Sequence, residues 1–239
     1  MHLFYTPNIQ PSHRAFILNE EESKHAIRVL RLAVGQQLQL VDGNGGCYTA
    51  VITDAHPKRT VLEIQAIDLA HGKRSYHLHI ALAPTKSIDR VEWFVEKATE
   101  LGIDEITPLI CDHSERTIVK PERLQKVAVA AMKQSQRAYL PKINQAANFG
   151  DFINSTHDVK RFIAHCAEGE KQHLGQVLQP GDASVILIGP EGDFSANEIA
   201  TALSSGYGPI TFGDARLRTE TAALVACMEV YLLHANQAN

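Results

Sequence analysis

The chain has 239 residues, 44% of them hydrophobic and 21% charged, with a formal net charge of −4. A chain of this length buries roughly 70–75% of its unfolded surface and can build two modest domains or one large one. No stretch approaches the roughly 18 consecutive apolar residues of a membrane span. The acidic balance argues against a globally basic nucleic-acid binder, so any such role must rest on local patches.

The opening segment MHLFYTPNIQ has neither a basic stretch ahead of an apolar core nor a small-residue cleavage site, so a cytoplasmic protein with no membrane partner is expected. The first helix is signalled by Asn19 followed by Glu20, Glu21 and Glu22, a capped and acidic first turn. Ile27, Leu30 and Val34 recur at helical spacing as its inward face. Lys24, Arg28 and Arg31 then line one outward side, where RNA phosphates could dock. QLQLVD alternates, GNGG (Gly43 to Gly46) is hairpin-turn chemistry, and CYTAVITDA and TVLEIQAI are β-rich runs. Residues 1–70 therefore read as a small antiparallel barrel or sandwich, and DLAHGKRS (Asp68 to Ser75) as a linker.

From residue 75 to 239 the period changes to strand, helix, strand, helix. YHLHIALAP is a strand, Asp89 to Gly102 a helix with Val91, Phe94, Val95, Ala98 and Leu101 on one stripe, and ITPLI a strand. A helix over Pro121 to Tyr139 follows, with Lys126, Lys133 and Arg137 along one side as a second candidate RNA-binding row. Strands at RFIAHC, SVILIG and PITFG alternate with helices over Ala196 to Ser205 and Glu220 to His234. Such alternation gives an α/β sheet, mostly parallel, whose ligands bind beyond the carboxyl ends of the strands.

IGPEGDF stands at such a strand end, and Gly189 and Gly192 permit close approach of a ligand to the backbone. It is neither a P-loop nor a dinucleotide fingerprint. Read blandly, it is a tight turn with Ser195 and Glu198 forming a capping box. TFGDARLRTETAALVAC repeats the pattern: Gly213 ends a strand, Arg216 and Arg218 lie in a polar loop, and Thr219 caps a helix. If the two strands are neighbours, their loops share one cleft carrying Glu191, Asp214, Arg218 and Glu220. The four cysteines, Cys47, Cys111, Cys166 and Cys227, form no C-x-x-C pair and are expected as buried thiols. His77 and His79 share a strand face, but no third ligand completes the set, so no metal site is expected.

Taken in order, SKHAIRVLRLAVG, RVEWFVEKATELGIDEITPL, KQSQRAYLP, LIGPEGDFSANE and FGDARLRTETA resemble the RsmE family of 16S ribosomal RNA methyltransferases. The resemblance spans nearly the whole chain. It implies a PUA-like barrel followed by a knotted α/β domain of the SPOUT type, with a trefoil fold of the chain, acting as a homodimer on the small ribosomal subunit. It also implies S-adenosylmethionine as cofactor and N3 of a uridine as acceptor. The implied cofactor residues are Ile188, Gly189, Pro190, Glu191 and Gly192 in the first loop, and Phe212, Gly213, Leu217, Arg218, Thr219 and Ala222 in the second.

The chain departs from the family pattern at Asp193, where a glycine is usual and where positive φ is less accessible to this residue. It departs again at Lys133, where the family commonly has glutamate, and in Phe212, Asp214 and Ala215. For the reaction, Arg218 is expected to stabilise the developing uracil anion, while Glu191 and Glu220 are candidate bases or orienting groups. Two alternatives are another SPOUT enzyme methylating a ribose 2′-hydroxyl and a non-catalytic RNA-binding assembly factor.

Overall fold

A computed structural model describes residues 1–155 and 159–235; positions 156–158 and 236–239 of the expected second domain lie outside the described residues. The chain divides into two units, Met1–Lys73 with Met132–Leu140, and Arg74–Ala131 with the residues from Pro141 onward.

In the first unit, β1 (Leu3–Tyr5), β2 (Ala15–Ile17), α1 (Glu20–Lys24), β3 (Gln37–Val41), β4 (Cys47–Asp54) and β5 (Val61–Asp68) follow in order. They make a five-stranded sheet, β1-β3-β4-β5-β2. β1 pairs with β3 in parallel, so the sheet is mixed rather than antiparallel throughout. Leu38, Leu40, Tyr48, Ala50 and Ile52 alternate inward and are fully buried with Phe4 and Leu62. Each such large side chain contributes roughly 1.5–3 kcal/mol on burial.

The first helix departs from the 3.6-residue pattern. Asn19 caps it, its side chain accepting from Glu22 N–H at 2.8 Å, but α1 gives way to a π-helical turn over His25–Val29 closed by Leu30 N–H to His25 O at 3.0 Å. Arg31 then takes a φ of 57° and stops the helix. Ser23, Ala26 and Leu32 are consequently the buried residues, Ile27 and Leu30 pack only partly, and Val34 is 61% exposed. The segment Met132–Leu140 joins this unit through Gly45 N–H to Ala138 O at 3.0 Å and Leu140 N–H to Gly43 O at 2.9 Å.

The second unit contains β6 (His77–Leu82), α2 (Ile88–Leu101), β7 (Glu105–Ile110), α3 (Pro121–Gln134, whose last turn belongs to the first unit), β8 (Lys142–Ile143), β9 (Ala147–Asn148), α4 (Phe149–Asn154) and β10 (Lys160–Ala164). After these come β11 (Gln172–His173), α5 (Leu174–Val177), β12 (Ala183–Ile188), α6 (Ala196–Ser204), β13 (Gly208–Thr211) and α7 (Thr219–Ala235). α2 ends where glycine predicts: Gly102 has a φ of 90° and Ile103 N–H reaches back to Ala98 O at 2.9 Å. α3 ends at Gln134, short of the expected Tyr139, because Gln136 adopts a φ of 56° and Arg137 N–H returns to Met132 O at 3.0 Å.

The sheet runs β11-β13-β10-β12-β6-β7-β8, every pairing parallel, with β9 also on β7. Val185 and Leu187 point to one face, where Phe149, Phe152 and Ala202 from α4 and α6 close over them. Ile186 and Ile188 point to the other, where α7 packs on β6 and β12 and against α2. β12 and β13 are not neighbours: Ala164 of β10 lies opposite Ile188 on one side and Ile210 on the other. β6 and β12 are, and their connections leave in opposite directions, one to β7 and one toward β13. That makes their carboxyl ends a topological switch point, the place where an α/β sheet opens a crevice.

Candidate active site

Beyond β12 the chain turns through Gly189 to Ser195. A Cβ on Gly189 would lie 3.0 Å from Phe194 Cδ2, so the buried Phe194 ring folds back over a residue that must lack a side chain. Ser195 accepts from Glu198 N–H at 3.2 Å while Glu198 accepts from Ser195 N–H at 2.8 Å, completing the capping box of α6. The bland reading of the motif is therefore present, and the loop ahead of it carries more. Asp193 adopts a φ of 63°, against the expected reluctance. Its short polar side chain tolerates this region and is held on both oxygens, by Cys166 N–H at 2.7 Å and Phe194 N–H at 2.9 Å.

Four elements grip this loop. Glu191 Oε1 accepts from Lys86 N–H at 3.1 Å, in the segment after β6. His113, after β7, reaches the carbonyls of Gly192 and Asp193. Cys166, after β10, holds Asp193, and Thr219 Oγ1 at the start of α7 donates to Gly189 O at 2.9 Å in a buried bond. The Lys86 segment is in turn fixed by Arg116, which donates to Lys86 O at 2.8 Å and 3.2 Å and to Thr85 O at 3.2 Å.

The second loop, after β13, begins with Thr211 Oγ1 donating to Gly213 O at 3.1 Å, with Gly213 at a φ of 111°. Phe212 is half-buried, and the run from Gly213 through Leu217 and Arg218 is exposed. α7 starts with Ala222 N–H on Arg218 O at 2.8 Å, so Arg218 stands at the helix mouth next to Thr219. The Thr219 bond brings this loop to Ile188, Gly189 and Pro190 even though β10 separates the two strands. Glu220 is only 8% exposed; its Oε1 lies 3.9 Å from Arg90 Nε and its Oε2 is buried without a partner among the described residues.

Of the candidate RNA residues, Lys24, Arg28, Arg31, Lys133 and Arg137 belong to the first unit, whereas Lys126 belongs to the second, so the expected row on α3 is divided. Lys24, Arg28 and Arg31 are exposed, but Arg31 follows the end of the helical segment, so the three do not form one helical row. Lys133 is committed to an ion pair with Glu22 at 2.7 Å, its ammonium 5.8 Å from the Phe4 ring centre. Arg137 is half-buried and lies beyond α3, not on its side.

Lys86, Arg90, Asp112, His113, Arg116, His165 and Cys166 escaped the motif reading. Each lies on, or just beyond, a segment leaving the carboxyl end of a strand, which is the signal that could have found them. His165 is half-buried with neither ring nitrogen partnered among the described residues, and burial, with the nearby Lys171 charge, lowers its pKa against the pull of Asp193. Cys47, Cys111 and Cys227 are buried, but Cys166 is exposed, so not all four thiols are core residues. Among the described residues no group of three His, Cys, Asp or Glu could hold a metal ion, and no helix is long and apolar enough to cross a membrane.

Comparison with known proteins returns a consistent set. Residues 72–230 match an RNA methyltransferase domain family, and residues 18–65 an RNA methyltransferase PUA domain. The Synechocystis ribosomal RNA small subunit methyltransferase E is 31% identical over 216 residues, covering 86% of this chain and 69% of that protein. Its Rickettsia conorii namesake is 31% identical over 211 residues, covering 86% and 84%. Among solved structures, a probable rRNA-methyltransferase from Porphyromonas gingivalis is 38% identical with a TM-score of 0.92 over 99% of this chain and 100% of that one. The Neisseria gonorrhoeae ribosomal RNA small subunit methyltransferase E, bound to S-adenosyl methionine, is 27% identical with a TM-score of 0.86 over 98% of each chain.

Proposed function

Since this chain belongs to the ribosomal RNA small subunit methyltransferase E family, we propose that it transfers a methyl group from S-adenosylmethionine to N3 of a uridine in 16S ribosomal RNA. The observation that supports this reading is the buried Thr219–Gly189 hydrogen bond, which fastens the mouth of α7, one residue past Arg218, to the loop after β12.

The residues present suit the cofactor. Glu220 offers a buried carboxylate oxygen without a partner among the described residues, an acceptor matched to a molecule bearing a sulfonium and an ammonium. Gly189, Gly192 and Gly213 leave backbone accessible along both loops, with Ile188, Pro190, Phe212, Leu217 and Ala222 as the remaining wall. When bound, S-adenosylmethionine supplies an electrophilic methyl carbon with a neutral thioether as leaving group. The protein's part is chiefly alignment of nucleophile, carbon and sulfur.

Uracil N3 carries a proton at neutral pH and must lose it to attack. Glu191, oriented by Lys86 N–H and otherwise exposed, is the group to accept that proton. Arg218 stabilises the negative charge that develops on the uracil oxygens. Lys24, Arg28 and Arg31 on the PUA unit, with Arg137, hold the flanking RNA phosphates. Lys133 instead braces its segment against Glu22.

Three further features belong to the same reading. The chain between β12 and α7 forms a trefoil knot, a proposal supported by the return of α7 to Gly189 after β13. The enzyme is a cytoplasmic homodimer. α7 is rich in apolar residues and keeps Met228, Tyr231 and Leu232 exposed at helical spacing, a face that a second copy would cover.

The test is a titration of wild-type and Arg218→Ala protein with S-adenosylmethionine, followed by methyl transfer to small-subunit RNA. Arg218→Ala is expected to bind the cofactor within about threefold of wild type while turnover falls by about 10²–10³. Unchanged turnover removes Arg218 from the reaction.

A further inference from the structure

We infer that His113 is a positioning residue for the cofactor loop, setting its conformation before S-adenosylmethionine binds; the inference rests on the cofactor reading above. His113 belongs to a tight turn after β7 closed by Ser114 N–H to Cys111 O at 3.0 Å and Cys111 N–H to Ser114 Oγ at 2.9 Å. That turn meets the β12 loop along its length. Asp112 N–H donates to Glu198 Oε1 at 3.0 Å, and Ser195 Oγ donates to Asp112 Oδ2 at 2.7 Å. His113 Nδ1 lies 3.1 Å from Gly192 O and 3.0 Å from Asp193 O.

Carbonyl oxygens only accept, so Nδ1 must carry the proton and donate to both. The approach is close enough to dictate a neighbour. A Cβ on Gly192 would stand 3.2 Å from His113 Cβ, although Gly192 is not at positive φ. A side chain at Gly192 would press on the histidine by a few tenths of an ångström, so the fit at this glycine is to His113 and not a demand for backbone freedom.

With both carbonyls drawn to His113, the N–H groups of the same two peptide units turn the other way. Asp193 N–H takes Pro190 O at 3.0 Å and Phe194 N–H takes Asp193 Oδ1 at 2.9 Å. One imidazole thus selects the orientation of two successive peptide planes in the stretch that carries Glu191. Without its donor the turn samples other orientations, and the fraction competent to bind falls. Apparent cofactor affinity drops in proportion, whereas chemistry at saturation is unaffected.

The experiment compares the full chain with His113→Phe, which keeps a ring and loses the donor, and His113→Asn, whose amide restores a donor near Nδ1. The readouts are S-adenosylmethionine affinity by calorimetry, KM and kcat for methyl transfer, and melting temperature. His113→Phe is expected to raise both Kd and KM for S-adenosylmethionine about tenfold with kcat within about twofold, and His113→Asn to return both to within about threefold of wild type. Wild-type affinity in His113→Phe overturns the inference. So does equal weakening in both variants, or a loss of affinity explained by a matching fall in melting temperature. If His113→Phe does not fold, the comparison of His113→Ala with His113→Asn decides by the same criteria. A wild-type chain that takes up no S-adenosylmethionine overturns the cofactor reading itself, and the first titration tells that case apart.

Discussion

Asp193 joins two demands in one residue: a left-handed backbone and a carboxylate spent on the amides of Cys166 and Phe194. Asp193→Gly keeps the first and loses the second, and should cost about 2–4 kcal/mol of stability, the worth of two charge-assisted hydrogen bonds in a partly exposed turn. Asp193→Val loses both and should cost about 1–2 kcal/mol more from the disfavoured φ. Urea unfolding of the two variants checks the order, and equal losses would mean that the backbone conformation carries no strain. At this scale the motif residues were legible because glycine and a helix-starting glutamate have local signatures, but Thr219, expected as a cap, is the first residue of α7 and spends its hydroxyl on Gly189 O. The partners that grip the motif were not legible. Lys86 meets Glu191, His113 meets Asp193, and Cys166 meets Asp193 across 105, 80 and 27 positions of chain, a distance no local pattern spans.

The loop and α6 are one device. Glu198 is buried, with one oxygen capping its own helix at Ser195 N–H and the other on Asp112 N–H from the turn after β7. Replacing it by alanine leaves two amides without acceptors, so Glu198→Ala should cost about 2–4 kcal/mol, against about 1 kcal/mol for Ser195→Ala, which removes a cap acceptor. Denaturant midpoints measure both, and a Glu198→Ala loss no larger than that of Ser195→Ala would show that the link to Asp112 contributes nothing. The capping box itself was readable, as were the extent of α2, its stop at Gly102, and the strands β6, β7 and β12. The first helix departs from a 3.6-residue pattern because a π-turn intervenes and Arg31 ends the helical segment, which leaves Val34 beyond the helix and exposed while Ser23 and Ala26 face the core. β1, β2, β8, β9 and β11 went unseen. At two or three residues each they are too short to show a period.

For the molecule as a whole, the change of period near residue 75 revealed two kinds of architecture, but not that Met132–Leu140 would fold with the first unit. That grouping puts the KQSQR segment with Lys24, Arg28 and Arg31 and ties Lys133 to Glu22. Strand order was hidden too, since pairing is long-range: β10 stands between β12 and β13, and the two loops are joined through the Thr219–Gly189 bond at the start of α7 and not through neighbouring strands. The account therefore rests on one chamber, made by two loops, that delivers a methyl group to a base and not to a sugar. The direct test incubates the purified protein with unmethylated small-subunit RNA and S-adenosylmethionine and resolves the digested nucleosides by mass spectrometry. The account predicts a uridine carrying one extra methyl on the base, at N3; a ribose-methylated product, or no methylated nucleoside from protein that binds the RNA, would contradict it.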